Sequence, residues 1–302
     1  KILQGPNRLA STLSAAPVEV EGQGAKSWVQ EHACFLMDGF IRLVCSMKLS
    51  VRAGAALRAA FFHFCISILV AVAAGSLVFG LWYPFPYREL AGGRELFLLI
   101  VTVDVVCGPL LTMVLFNPQK PRRELNADLG LVILVQLMAL AYGLYSLALA
   151  RPVYLAYEVD RFRVVSVADI QEGELKPELG GFHRLPWLGP KIVGVRDPVD
   201  AEEKLKSLDL SFQGNEPSAR PDWWVAYEEV RATVLSRARP MQQLRERQPD
   251  DERKIDEAVR DSGQPEASLQ WVPLTGFKST SWVALVDART AEVRAFAPVD
   301  GF

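Results

Sequence analysis

The chain is poor in the side chains from which reactive sites are usually assembled. Its 302 residues hold four cysteines and three histidines, and these are scattered. Cys34 and Cys45 lie near the start, while Cys65 and Cys107 lie inside apolar runs. No cysteine falls in residues 151–302, so that segment is no disulfide scaffold. Its one histidine, His183, sits in the loop-like GGFHRLP, which leaves Cys/His and Ser/His/Asp sites short of parts. HExxH, CxxC, GxSxG and the phosphate-loop signature are all missing. Gly22 to Ser27 has the composition of a phosphate loop, but its spacing is wrong and no apolar strand precedes it. Glu202-Glu203 and Asp250-Asp251 lie in polar runs and read as solvated. An excess of one charge is lacking too: the formal net charge is −2, unlike the clustered basic surface of a nucleic-acid binder. We therefore expect no enzyme, no cofactor, no metal site and no nucleic-acid partner.

Long apolar runs are what the chain does have. Half of its residues are apolar and the mean hydropathy of +0.13 is high for a soluble chain. These residues concentrate between 59 and 150. A bilayer core of about 30 Å needs about 20 apolar residues per helix, and three stretches supply them: Ala59–Trp82, Leu96–Phe116 and Ala127–Ala150. Buried helices of a soluble bundle would be shorter and would show a polar face. The expected class is a membrane protein, three transmembrane α-helices followed by a small α+β extracytoplasmic domain.

Orientation follows from the cations of the short flanks. Arg42, Lys48, Arg52 and Arg58 precede the first span, and Lys120, Arg122 and Arg123 separate the second from the third. The loop between the first two spans has only Arg88 and Arg94, offset by Glu89 and Glu95. This places the N-terminus in the cytoplasm and residues 151–302 outside. Trp82 and Tyr83, opening the WYPFPY run, are expected as interface anchors, with Tyr142 and Tyr145 approaching the same face. Residues 1–46 lack strong periodicity and are expected to be a poorly ordered extension, with Met47 as the natural start and 47–150 as the membrane domain. An amphipathic helix over Trp28–Ser46 is the competing reading; a cleaved signal peptide suits the long first span badly.

Asp104 is the informative residue within the spans. An acid at mid-membrane costs about 3 kcal/mol on the gentlest scale, so it is normally turned inward and partnered. At 1.5 Å per residue, Asp104 lies about 12 Å below Leu96, and Gln136 about 14 Å above Ala127, which brings the two within hydrogen-bonding reach in depth. His63 is expected about 12 Å further down, too far for direct contact with Asp104. The acid either ties the bundle together or receives a polar group from a partner helix; one acid without others makes a poor proton relay. Gly108 and Pro109 are expected to kink the second span and release the carbonyl of Val105. Ala71 with Gly75, and Ala139 with Gly143, offer weaker signs of close helix approach.

Beyond Arg151, Val153–Val167 reads as a hairpin turning at Asp160-Arg161. Residues 171–222 form a connection rich in Gly, Pro and charge, with one short helix at Asp200–Leu208. Asp222 is expected to cap a helix reaching Arg239 with Trp224, Tyr227, Val230, Val234 and Ala238 as its apolar stripe. After Pro240 a polar helical pattern resumes through Arg260. Trp282–Val286 and Val293–Phe296 close the chain as strands about a turn at Asp287–Glu292.

Several long segments agree in order with one family. ISILVAVAAG (66–75), WYP (82–84), GRELFLLIVTVDVVCGPLLTMVLFNP (93–118), DLGLVILVQLMALAYGLYSLALARPVYLAYEVDRFRVVSVADI (128–170) and GFKSTSWVALVDARTAEVRAFAPVD (276–300) resemble the TfpX/TfpZ type IV pilin accessory proteins. The resemblance covers about residues 57–302 and includes Asp104, Pro109 and Gln136. It implies a chaperone-like protein of the bacterial inner membrane that binds a cognate major pilin and promotes type IV pilus assembly, with twitching motility and adhesion downstream. Other pilus assembly proteins of the inner membrane are further candidate partners beside the lipid bilayer. No catalytic residues carry over. Ala291 departs from the family, which more often has Gly in a D-x-x-T-G turn; a positive φ there would strain alanine. The competing functions are a membrane-anchored envelope enzyme, which would need a deep pocket of titratable groups, and a small sensor or transporter, which would need a continuous polar path.

Overall fold

The computed structural model describes residues 51–171 and 173–302. The expectations for residues 1–46 and for Met47 lie outside them. Helix α1 (Val51–Leu77) runs on through one turn of π-helix, Val78–Trp82, and stops where Pro84 and Pro86 end the helical hydrogen-bond ladder. A single-turn helix α2 (Tyr87–Leu90) links it to α3 (Gly93–Leu115), and α4 (Arg122–Ala150) follows Pro121. Three helical stretches, 52–82, 93–115 and 122–150, are long and apolar enough to cross a membrane. They contain most of the expected spans and extend past them into the charged flanks.

Residues 151–302 form the helix-plus-sheet domain. Strands β1 (Pro152–Glu158), β2 (Arg161–Ser166), β3 (Lys191–Val195), β4 (Trp224–Val225), β5 (Arg239–Pro240), β6 (Leu269–Thr275), β7 (Trp282–Asp287) and β8 (Val293–Ala297) make one sheet in the order β4-β3-β1-β2-β6-β7-β8. The expected hairpin is β1–β2, antiparallel with Tyr157 opposite Phe162. Parallel pairings β1–β3 and β2–β6 join it to the rest, and β5 pairs with the remaining length of β6. The closing strands β7 and β8 complete an antiparallel meander with β6.

Alternation along the strands sends two sets of side chains to two faces. Leu155, Tyr157, Phe162, Val164, Val272, Leu274, Ala284 and Val286 share one face. It is covered by α6 (Tyr227–Arg237), through Tyr227, Val230 and Val234, and by Tyr87 and Leu90 of α2. The short segment between the first two spans is therefore part of the domain core. On the other face Trp271, Val283, Leu285 and Ala295 meet α7 (Met241–Arg247) and α8 (Glu252–Asp261). Tyr154, Ala156, Val165 and Val193 pack there with Trp224 and Phe182.

Some local expectations give way to tertiary structure. The helix begun by Asp200 runs to Phe212 as α5 (Ala201–Phe212), with the Asp200 carboxylate accepting from the Glu203 amide at 2.8 Å. Asp222 does not cap α6: it lies in a 3-10 turn, Trp224 belongs to β4, and the Ala226 amide donates instead to Glu229 at 3.2 Å. The polar helix after Pro240 is broken at Pro249 into α7 and α8. β6 is buried along most of its length and lacks the alternation of a half-exposed strand, while β3 is a five-residue strand set within the Gly- and Pro-rich connection.

Among the described residues, two other than glycine adopt positive φ, Val159 (+55°) and Ala291 (+57°). Ala291 thus takes the conformation that glycine would adopt freely in this turn. Its amide donates to Asp287 O at 2.9 Å and its carbonyl accepts from the Tyr227 hydroxyl at 2.5 Å. The Asp287 carboxylate caps the same turn, accepting from the amides of Arg289 and Thr290 at 2.9 Å each, and these bonds hold its pKa down at about 2. Val159 is different: 71% exposed at the hairpin tip, it has little burial to offset its strained backbone.

Val159→Asn, which tolerates this conformation, is expected to raise stability by about 0.5–1 kcal/mol, read as a higher denaturation midpoint of the purified chain in detergent. Asp287 binds protons less readily folded than unfolded, so its contribution is complete above about pH 4 and is lost as the pH falls through about 2. Thermal unfolding followed across that interval should therefore show a shallower pH dependence in Asp287→Asn than in the parent.

Candidate functional site

The membrane helices approach closely at Gly75, Gly108 and Gly143. A Cβ on Gly108 of α3 would fall inside the Gln136 amide of α4, and one on Gly143 of α4 would stand 2.8 Å from Ile100 of α3. Between α1 and α3, Gly75 admits the ring of Phe97 at 3.1 Å. Gly75 and Gly143 are the same small residues whose spacing suggested close approach. Near the sheet domain Val78, Tyr83, Phe97 and Leu147 join in a buried apolar cluster. At the opposite end of α3 and α4, Lys120 pairs with Asp128 at 2.6 Å.

Between these ends α1, α3 and α4 leave a cavity of about 390 Å³. Its polar lining is His63, Ser67, Asp104, Thr112 and Gln136, among Ala, Val, Leu, Ile and Phe. Phe62, Ile66, Ile133 and Leu137 of its wall are exposed, so the cavity is a groove that opens sideways between α1 and α4. Gln136 Nε2 donates to the main-chain carbonyl of Asp104 at 3.0 Å. Gly108, one turn beyond Asp104, is what gives the amide room to reach it. Gln136 Oε1 is buried with no hydrogen-bond partner among the described residues. His63 Nδ1 and Thr112 Oγ1 lie 2.6 Å apart. Thr112 is two turns past Asp104, about 12 Å along the helix, which is the depth offset that sequence spacing assigned to His63. Pro109 is buried inside α3, which continues through it to Leu115.

The four aromatic residues expected at the interface divide into two kinds. Tyr142 and Tyr145 project from α4 and are exposed, and Trp82 is half-buried against the cluster at the helix ends. Tyr83 does not face outward. Its ring is fully buried beside Gly93, because its hydroxyl reaches Leu147 O at 2.9 Å and so satisfies the polar end of an otherwise apolar side chain. Burial accordingly pushes its pKa up.

The sheet domain carries a second concavity, about 1040 Å³, between the hairpin tip, α5 and residues 275–280. It gathers charge, much of which is consumed locally. Arg196 grips Glu203 with two bonds of 2.7 and 2.9 Å, drawing that carboxyl down to about 2. Arg163 meets Glu216 at 3.4 Å, and the Glu158 carboxylate accepts from the Ser218 amide at 2.9 Å. No histidine or cysteine lines this concavity, and His183 bonds the Gly180 carbonyl of its own loop. In the groove His63 pairs with the Thr112 hydroxyl but makes no hydrogen bond to Asp104 among the described residues. The groove's polar residues also stop short of a continuous path, since the cluster of Val78, Tyr83, Phe97 and Leu147 closes the end nearest the sheet domain.

Gly108→Ala is expected to eject Gln136 from Asp104 and to cost about 1–3 kcal/mol as an overpacked contact. Gln136→Leu removes the interhelical hydrogen bond together with the unpartnered Oε1 and should cost less, at most about 0.6 kcal/mol. Reversible unfolding of both variants in mixed micelles checks the order.

Residues 51–92 match the family model described as fimbrial assembly protein FimB. A fimbrial assembly protein of Dichelobacter nodosus serogroup I is 36% identical over 244 residues, covering 80% of this chain and 93% of that protein. Its serogroup E1 counterpart matches with the same identity and coverage. The protein of serogroups C1 and C2 is 48% identical over 113 residues, 37% of this chain and 86% of its own length. No solved structure matches. With similarity that spans nearly the whole of such relatives, the chain belongs to the fimbrial assembly protein family.

Proposed function

We propose that this protein acts in pilus assembly by holding a cognate major type IV pilin in the bacterial inner membrane before the subunit is assembled, as the TfpX/TfpZ resemblance implies. Relatives that are fimbrial assembly proteins support the process, and the sideways-open groove supports the mode. A pilin at that stage sits in the membrane by one apolar helix with its globular head outside. A groove walled by apolar side chains and floored by Asp104 and Gln136 suits such a helix if the helix brings one polar group. The polar pair Asp104 and Gln136 lining a groove whose apolar walls stand exposed is the observation that carries this reading.

The N-terminus lies in the cytoplasm and the sheet domain in the periplasm on this reading. Arg52, Arg58, Lys120, Arg122 and Arg123 stand on the cytoplasmic side, whereas Arg88 and Arg94 both flank Glu89 and Lys278 pairs with Glu95 on the other. The sheet domain would then meet the pilin head while the groove meets its helix. Two modest contacts on one body strengthen each other through effective concentration. Failure of assembly would be felt downstream in twitching motility and adhesion.

Cysteine crosslinking from Leu137 on the groove wall, in cells co-expressing the pilin, is expected to trap the pilin helix, with a pilin of another class as control. Equal yields with the two pilins would defeat the reading. Asp104→Leu should lower pilin recovery with the purified protein, with Asp104→Asn intermediate, and unchanged recovery with both would remove Asp104 from the site. A phosphatase fused after Phe302 should be active, as only a periplasmic C-terminus allows.

A further inference from the structure

The loop at residues 183–190 belongs to the sheet domain but ends against the membrane helices. The Gly189 amide donates to Leu81 O, in the last turn of the first span, at 2.9 Å. Gly189, at φ +56°, also packs against Pro84. On the other side, Arg151 follows the final residue of α4, donates to Ala148 O at 2.7 Å and lays its guanidinium 4.7 Å from the centre of the Trp187 ring. The loop is thus tied to the exits of two spans at once.

The depth of those exits follows from the chain. Leu81 lies about 34 Å along the helix from Arg58, and Arg151 lies the same distance from Asp128. Each interval matches one hydrocarbon core of about 30 Å with a slight tilt. The two tie points therefore stand at the boundary between acyl chains and headgroups. At that level Trp187 is 66% exposed and Leu188 68% exposed, although both are large apolar side chains. An indole held under a guanidinium beside an exposed leucine is the composition favoured where hydrocarbon meets headgroups.

We propose that Trp187 and Leu188 form a membrane-contact tip, by which the sheet domain enters the phospholipid interface between the exits of the first and third spans. Leu188 sits among the upper acyl chains and the Trp187 indole lies at the headgroup level, with the buried Arg151 guanidinium holding the indole in place. The occupant is lipid because the ties to Leu81 and Arg151 place the tip beside the two span exits at the bilayer boundary. The tip limits rocking of the sheet domain over the membrane, and it does so without any partner protein.

The test uses the full chain with its four cysteines replaced by serine and Leu188→Cys labelled with an environment-sensitive fluorophore. The protein is reconstituted into vesicles of phosphatidylethanolamine and phosphatidylglycerol without pilin. Quenching by a nitroxide on the upper acyl chain is expected to exceed quenching by aqueous iodide by about twofold or more. Adding Trp187→Ser should reduce the lipid-borne quenching at position 188 and raise that by iodide. Quenching by iodide alone would overturn the proposal, as would shielding of position 188 that develops only when pilin is added. Loss of pilin recovery with lipid quenching intact would instead count against the proposed function and leave the tip standing.

Discussion

Tyr87 and Leu90 are buried in the core of a domain whose own strands begin some sixty residues later, and the arrangement of the whole molecule depends on that insertion. Each such side chain contributes about 1.5–3 kcal/mol when fully removed from water. The contact is fixed by main-chain geometry as well as by grease. The Lys278 amide donates to Leu90 O at 2.9 Å, and Gly276 lies so close that a Cβ there would stand 2.5 Å from the same oxygen. Lys278 also pairs with Glu95 at the start of α3. Membrane bundle and sheet domain are consequently one body, and a ligand touching both parts meets them at a fixed spacing.

Within the membrane, attraction between apolar side chains does little, because lipid offers the same contacts. Packing is achieved by glycine instead. Gly108, Gly143 and Gly75 bring backbone against Gln136, Ile100 and Phe97, and the tight contacts cluster on α3. The helices close fully only near the sheet domain, where Tyr83 finds a carbonyl for its hydroxyl. Further along, α1 and α4 leave the polar floor of the groove open to one side.

The sheet domain shows the opposite economy of charge. Arg196, Arg163, Glu216 and Glu158 line a large concavity, yet each is engaged by a neighbour, Arg196 by Glu203. Such pairs hold α5 and the hairpin tip in register more than they offer chemistry, and exposed pairs of this kind contribute little individually. Strain is tolerated at both ends of this domain. Ala291 keeps its positive φ because its turn is held by Asp287 and Tyr227, whereas Val159 keeps it at an exposed hairpin tip.

The sequence by itself determined the spans, since twenty or more apolar residues can satisfy their backbone in lipid only as helices, and it determined the hairpin, α5 and the closing strands through capping and alternation. It also brought Asp104 and Gln136 to one depth, because helical rise is a constant. What it left open depended on contacts remote in the chain. Tyr83 reads as an interface aromatic until Leu147 O is placed beside it, β3 reads as part of a loop until β1 lies next to it, and Trp187 reads as a loop residue until Arg151 stands against its ring. Local propensity carries no information about which polar group a buried side chain will meet, so these assignments belong to the tertiary structure alone.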